Sequence, residues 1–243
     1  MRKRRAGAKR GNDRITIREI MSVDDPAFRA AHALLRRSFH RGEMLPVADW
    51  RNAMRERSEG LWTDLNWHLL VADRRGRVLG AASGSYLGNL NVGLIGYIAL
   101  TPAARSTGTG PRMRGTLLRK FHADARRIGR AAAGAIMGEV REDNPWLRYL
   151  VRHEGAIALD FTYIQPALGA AKDPVPLVLY YQPLGRARKS LPAAEVRRLL
   201  YSMWRRSYRI GRPLEHREFR LMLRSLRGRG RIGQRSLLPR HSR

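Results

Sequence analysis

A mixed α/β fold, with a sheet carrying helices on its faces, is what the sequence predicts, and three observations point to it. Segments alternating apolar and polar residues give way along the chain to segments with apolar residues at helical spacing. A nearly continuous apolar run at residues 92–100 runs into a glycine-containing turn and then a helix, as a central, doubly covered strand does. The chain is also long enough, at 243 residues with 43% hydrophobic content, to bury a real core.

The elements follow in order. Residues 14–21 alternate as a half-buried strand does. Asp24 and Asp25 are caps ahead of Pro26, after which Phe28, Ala31, Leu34, Leu35 and Phe39 recur at helical spacing. Residues 48–59 offer a second helix. Residues 67–72 and 78–87 are strands joined by a turn at 73–77, a hairpin. After the run at 92–100 comes the turn 102–111 and a helix with Met113, Leu117, Phe121 and Ala125 on one face. Residues 131–140 are a strand, 145–153 a helix, and 156–165 and 176–182 two last strands. The order β, α, α, β, β, β, α, β, α, β, β describes a mixed sheet with helices on its faces.

Composition excludes several classes. With no cysteine there is no disulfide framework, thiol nucleophile or cysteine-based zinc site. The seven histidines lack HxxxH or HxH spacing, so no metal site is expected. No apolar run reaches the roughly 18 residues of a membrane span, and no apolar segment follows the charged N-terminus as in a secretory signal. A cytoplasmic location is the expectation.

The net charge of +28 comes from 48 basic residues, 43 of them Arg, against 20 acidic ones. It is unevenly placed: +6 on residues 1–14, +7 on 15–184 and +15 on 185–243. Four segments are expected: a disordered basic tail (1–14), a globular body (15–184), a helical extension (185–226) and a disordered basic tail (227–243) whose glycines alternate with arginines. In the extension, Val196, Leu199, Leu200, Met203 and Trp204 form an apolar stripe, which suits helices packed on the body with a solvated Arg face. The two ends suit salt-sensitive, sequence-indifferent contact with nucleic acid.

The chemistry is concentrated at residues 100–111. A glycine loop opening a helix presents unpaired backbone N–H groups and the positive end of the helix dipole, which together hold a phosphate. Gly108 and Gly110 permit close approach, Arg105 adds a charge-assisted contact, and Pro111 fits the first helical turn. The loop lacks the Gly-Lys-Ser/Thr ending of a nucleotide hydrolase.

Arg105-Ser-Thr-Gly108-Thr-Gly110 resembles, without a gap, the R/Q-x-x-G-x-G/A pyrophosphate loop of the GNAT N-acetyltransferase family. Leu100-Thr101-Pro102 ahead of it, and Glu139-Val140, Asn144, Leu150 and Gly155 behind it, fall at that family's spacing, and the likeness covers roughly residues 15–184. The resemblance implies the GNAT fold with a basic helical C-terminal extension, and an acyl-CoA-dependent N-acyltransferase that passes acetyl from acetyl-CoA to a primary amine by direct attack. It implies that Ser106, Thr107, Gly108, Thr109 and Gly110 bind the CoA pyrophosphate, with Arg105, Arg112 and Arg114 beside its phosphates. Ile98 and Leu100 would hold pantetheine through the backbone, and Asn144 would contact the cofactor while capping the next helix.

Two departures from the pattern matter. The helix position where the family carries the tyrosine acid is Val151, and strand 92–100 holds no carboxylate. Glu139 is the best remaining base, with Tyr163 and Tyr97 behind it. Acyl-CoA and an unidentified amine are the partners this implies, with non-specific nucleic-acid contact through the tails and a homodimer as further candidates. The rival reading is a basic nucleic-acid- or ribosome-associated protein that keeps the fold without catalysis. A cationic acceptor is disfavoured unless Glu43, Asp49, Asp64 or Asp160 gather in the cleft.

Overall fold

The structure is a computed structural model that describes residues 14–169 and 173–237. It contains ten strands and six α-helices among these residues, arranged around one large sheet. The first part comprises β1 (Thr16–Glu19), α1 (Pro26–Ser38), α2 (Val47–Ser58), β2 (Leu65–Arg74), β3 (Arg77–Leu87), β4 (Val92–Leu100) and α3 (Thr109–Arg127). The second comprises β5 (Ala135–Val140), α4 (Pro145–His153), β6 (Ile157–Ala158), β7 (Tyr163–Gln165), β8 (Val175–Pro183), β9 (Ser190–Pro192), α5 (Ala193–Ser202), α6 (Arg217–Ser225) and β10 (Arg231–Gly233). The sheet order is β1-β2-β3-β4-β5-β8-β6, with β7 also paired to β8. Only β4 and β5 run parallel.

Strand alternation sends successive side chains to opposite faces, and each face has its own cover. On one, Ile95, Ile136, Val178 and Tyr180 pack against Met113, Leu117 and Phe121 of α3 and Leu147 and Leu150 of α4. On the other, Leu69, Val71 and Ala81 meet α1 and α2, while Leu94, Met137 and Leu179 meet α5 and α6. Asp25 caps α1 by accepting from the Ala27 N–H at 2.9 Å, as the sequence predicts. Among the described residues no helix is long and apolar enough to cross a membrane.

Several boundaries differ from the sequence reading. The strand expected at 131–140 starts at Ala135, and the one at 156–165 is split into β6 and β7. The split has a cause: Asp160 N–H donates to Gly233 O and Phe161 N–H to Leu159 O, so the backbone bonds of the bend leave the ladder. The helix that carries the stripe from Val196 to Trp204 starts at Ala193, because residues 190–192 pair with β10. It ends in a π-helical turn at Met203–Ser207.

The expectation of disorder from residue 227 is corrected for the described part of that tail. Ile232 is fully buried and Gln234 bridges to Leu159, so one apolar side chain and a two-strand ladder hold a segment whose composition reads as loop. Residues 1–13, nearly all of the first expected tail, and residues 238–243, the end of the second, lie outside the described residues. The helical extension shares its core with β5 and β8, and part of its charge is engaged: Arg206 with Asp64, Arg209 with Glu56 and Arg188 with Glu195, while Arg229 just beyond it pairs with Asp160.

A buried polar cluster ties β1, β2 and α3 together. His68 is 1% exposed, with Nδ1 2.6 Å from Glu19 Oε1 and Nε2 2.7 Å from Asp124 Oδ2. Asn66 donates to Asp124 at 2.7 Å, and Lys120 and Arg57 both reach Glu19. Burial pushes the Glu19 carboxyl up, but the hydrogen bonds from His68, Arg57 and Lys120 outweigh it and hold the group well below the usual carboxylate range.

Candidate active site

The site begins with a break in the sheet. β4 and β5 are hydrogen-bonded only from Val92–Ala135 to Ile95–Gly138; beyond that pair β4 continues on β3 without β5. The register of β4 against β3 shifts at the same place, with Ser83 opposite Tyr97 but Gly84 opposite Ile95, so Gly96 is the extra residue of a β-bulge. The bulge resets the alternation. It is why Tyr97 lies with the α1 and α2 core while Ile98 and Leu100 pack on the α3 side.

The cleft opened by this splay has a volume of about 540 Å³. Ile98, Gly110, Asn144 and Glu139 all line it, together with Glu43, Pro111, Trp146 and Tyr180. Four residues proposed from sequence for different parts of one reaction, scattered over more than forty positions, thus meet around one space. Leu100 is placed under the loop, 3.5 Å from where a Cβ on Gly110 would lie.

The glycine loop has the geometry expected of an anion site. Gly108 caps α3 in the left-handed conformation with φ +74°, no side chain takes the capping position, and no acid stands in the first turn. Ser106 is also left-handed, with φ +58°. Thr107 Oγ1 donates to Ala104 O at 2.8 Å and lies 2.7 Å from Thr109 Oγ1. The two threonines therefore brace the loop from within, and what it offers outward is backbone N–H. Arg105 is exposed and makes no ion pair among the described residues.

The other two arginines expected beside the phosphates are engaged elsewhere. Arg112 donates to Ile15 O at 3.1 Å. Arg114 turns inward, 9% exposed, where it bonds Gln182 and Glu154 and lies over the Trp146 ring. Position in the first turns of α3 does not decide where such long side chains point; the neighbouring acceptors do.

On the opposite face of β5, the Glu139 carboxylate accepts from Tyr163, and Tyr208, whose hydroxyl lies 3.5 Å from that of Tyr163, also bonds to it. No cation forms an ion pair with Glu139 among the described residues. Burial pushes its carboxyl up to about 8, and nearby Glu43 adds to the rise, against the hydrogen bond from Tyr208. Glu43 is itself buried and raised by burial, with Arg141 at 3.9 Å and His40 opposing the rise.

A small cavity of about 60 Å³ continues from the cleft past these carboxylates, between Phe39, Leu45, Trp67, Tyr97, Gln165 and Tyr208. Tyr97, the weaker tyrosine candidate, is consumed in structure: its hydroxyl donates to Glu43 O at 2.6 Å and accepts from Leu45 N–H at 3.1 Å. Asn144 caps α4 by accepting from Trp146 N–H at 2.9 Å. Tyr149 is exposed and stacked on Trp146, and His122 accepts from Ala133 N–H; neither lines the cleft.

No protein-family model matches the chain, and no curated protein matches it. Solved structures do. An acetyltransferase of the GNAT family from Bacteroides thetaiotaomicron superposes with a TM-score of 0.56 at 19% identity, covering 80% of this chain and 98% of that one. The chain has the GNAT fold. Two further structures lie at greater distance: Ard1 from Thermoplasma volcanium, with a TM-score of 0.49 at 17% identity over 71% of this chain and 99% of that one, and the ribosomal-protein-alanine N-acetyltransferase from Brucella melitensis, with 0.47 at 19% over 70% and 99%. The fold assignment rests on the first.

The reading of the sequence missed Tyr180 as a cleft residue and named Glu43 only among four acids that could gather there. Glu43 sits in a 3₁₀ turn at Arg41–Glu43, where a single charged residue carries no periodic signal. Tyr180 lies within the apolar run of β8, which gives no cue that its tip reaches a cleft in the GNAT fold.

Proposed function

We propose that the protein is an acyl-CoA-dependent N-acyltransferase that transfers acetyl from acetyl-CoA to a primary amine by direct attack. The observation that carries this reading is the cleft at the β4–β5 splay, which has the anion-holding loop at one end and Glu139 at the other. The loop N–H groups of residues 106–110 and Arg105 would take the pyrophosphate. The unpaired edge of β4 at Ile98 and Leu100 would hydrogen-bond pantetheine, and Asn144 would face it.

Glu139 is suited to take the proton from the attacking amine. Its raised carboxyl is half protonated near pH 8, so it is a stronger base than an ordinary carboxylate, and Tyr163 fixes its orientation. With Glu43 beside it, the acceptor side of the cleft is locally acidic in a strongly basic chain, which favours an ammonium-bearing acceptor arriving there. Of the other acids considered for that role, Asp64 is bound to Arg206 and Asp160 to Arg229, away from the cleft.

Isothermal titration with acetyl-CoA tests the proposal. Binding in the micromolar range is expected, and no binding at hundreds of micromolar would sink it. Gly108→Val should weaken binding by about 10²-fold: no atom lies within 4 Å of a Cβ there, so the side chain occupies the space before the loop, while φ +74° adds roughly 1–2 kcal/mol of backbone strain. Unchanged affinity would show that the loop is not the phosphate site.

A further inference from the structure

We infer that the Tyr180 hydroxyl is the acid that protonates the departing CoA thiolate. The inference rests on the acyltransferase reading and adds to it a residue on a different element from the helix where the resemblance places a tyrosine.

That helix cannot supply the group. Val151 is half-buried and packed against the apolar core under α4, and Tyr149 is held on the outer side of α4 by Trp146 and His153. Tyr180 comes instead from β8, directly opposite Gly138 of β5. Its ring lies across that glycine: a Cβ on Gly138 would come within 2.7 Å of the Tyr180 oxygen and 2.8 Å of the ring. Gly138 is also the partner of Ile95 in the last β4–β5 pair before the splay. The phenol oxygen is therefore stationed at the point where the cleft opens, and only glycine at 138 leaves room for it.

The face is the right one. Tyr180 packs with Ile95, Ile136, Val140 and the helices α3 and α4, on the side where the loop at the start of α3 would deliver CoA. Glu139, one residue on from Gly138, points to the other face, toward Tyr163. Base and acid thus stand on opposite sides of one strand, so the amine and the departing sulfur of a tetrahedral intermediate can each meet a different group. Tyr180 lines the cleft and its hydroxyl has no hydrogen-bond partner among the described residues, so its proton is available. Burial pushes the phenol up to about 12, with Arg114 opposing, so it is protonated whenever the site is at work.

In the step, the amine nitrogen forms the bond to the acetyl carbon and loses a proton to Glu139. The C–S bond breaks with its electron pair on sulfur, and sulfur takes the phenol proton to leave as CoA thiol. Solvent water then returns a proton to the Tyr180 phenolate and removes the one on Glu139, so that atoms and charge balance over the cycle.

The test needs no acceptor. In a crystal structure with CoA, sulfur is expected within about 3.5 Å of the Tyr180 oxygen, and a sulfur further than about 5 Å away would overturn the inference. Ultraviolet titration of the bound CoA thiol is expected to show a thiolate about tenfold less favoured in Tyr180→Phe than in the wild type, as loss of a hydrogen bond to a charged group implies. Equal titration curves would overturn it. Gly138→Ala, which displaces the phenol, should shift the titration in the wild-type background and not in the Tyr180→Phe background; the same shift in both would count against the phenol. If CoA does not bind the wild-type chain at all, the acyltransferase reading falls and this inference with it. If CoA binds and the thiol is indifferent to Tyr180, this inference alone falls.

Discussion

Glu19 and Glu139 are two carboxylates removed from water in the same molecule, one at the end of β1 and one near the end of β5. Glu19 is met by His68, Arg57 and Lys120 and is held ionised. Glu139 is met by tyrosine hydroxyls and by another carboxylate's field, and is held partly protonated near neutrality. Burial is common to both, so burial does not distinguish a site from a staple. What distinguishes them is whether the fold supplies a counter-charge: where it does, the group is locked, and where it withholds one, proton affinity is left for chemistry.

The same isosteric change at the two positions should therefore separate function from stability. The largest effect is expected from Glu139→Gln, which keeps an acceptor for Tyr163 but removes the proposed base. Enzyme-dependent CoA release with a panel of primary amines should fall by about 10³-fold, equivalent to roughly 4 kcal/mol, with acetyl-CoA affinity little changed. In the wild type the rate should rise with pH through about 8 as Glu139 ionises.

Stability should move the other way. Because the folded carboxyl is raised, the folded chain retains a proton that the unfolded chain releases above the ordinary carboxylate range, so wild-type stability falls as pH rises from about 4.5 toward 8, by up to about 1.4 kcal/mol per pH unit. Glu139→Gln should flatten that slope, giving a higher urea midpoint than wild type at pH 8.5 and a similar one near pH 4. A rate unaffected by the substitution would remove Glu139 from the mechanism.

Next in size is Glu19→Gln, with the opposite profile. It leaves His68, Arg57 and Lys120 without their shared anion, and loss of one partner from a buried ionic cluster costs about 3 kcal/mol, somewhat less here because Lys120 and Arg57 are partly solvated. The folded Glu19 is depressed, so its stabilisation is present above the ordinary carboxylate range and is lost as pH falls below about 4.5. The variant should therefore be less stable than wild type at pH 7 and approach it in acid, measured by urea denaturation. Acetyl-CoA affinity of the folded variant should stay within about twofold; a large loss would show that the cluster supports the cleft as well as the fold.

The contrast also accounts for what could be read from the sequence. Features set by local periodicity were legible: the hairpin of β2 and β3, the run of β4, the amphipathic α3 and the Gly108–Gly110 turn all announce themselves within a dozen residues. The place of Glu139 at the cleft was legible because it follows that framework by the spacing of a known pattern. Features assembled from distant residues were not. Glu19, His68 and Asp124 form one cluster from three elements, and the Gly96 bulge appears only when β3 is laid beside β4. Tyr180 acquires its position from Gly138, 42 residues away. The ordering of Ile232 depends on a pairing with residues 190–192 that composition cannot reveal, since glycine and arginine there read as loop whatever they pair with.

Asn144 offers the smallest effect and the finest division between the two kinds of role, because one side chain holds both. Its Oδ1 accepts from the Trp146 N–H, a cap whose removal costs about 1 kcal/mol. The amide nitrogen is left to face the cleft, where the residue lines the space beside Trp146 and Arg141. Asn144→Ala should lose both contributions: about 1 kcal/mol in urea denaturation and roughly a fewfold in acetyl-CoA affinity, as for a single hydrogen bond. Asn144→Asp keeps a capping oxygen, with a negative charge that suits a helix N-terminus, so stability should hold. It replaces the amide donor with an anion facing a polyanionic ligand, so affinity should fall at least as far as in the alanine variant. If aspartate preserved affinity as well as stability, Asn144 would be a cap alone, and the cofactor contact inferred from its spacing would belong to the backbone around it.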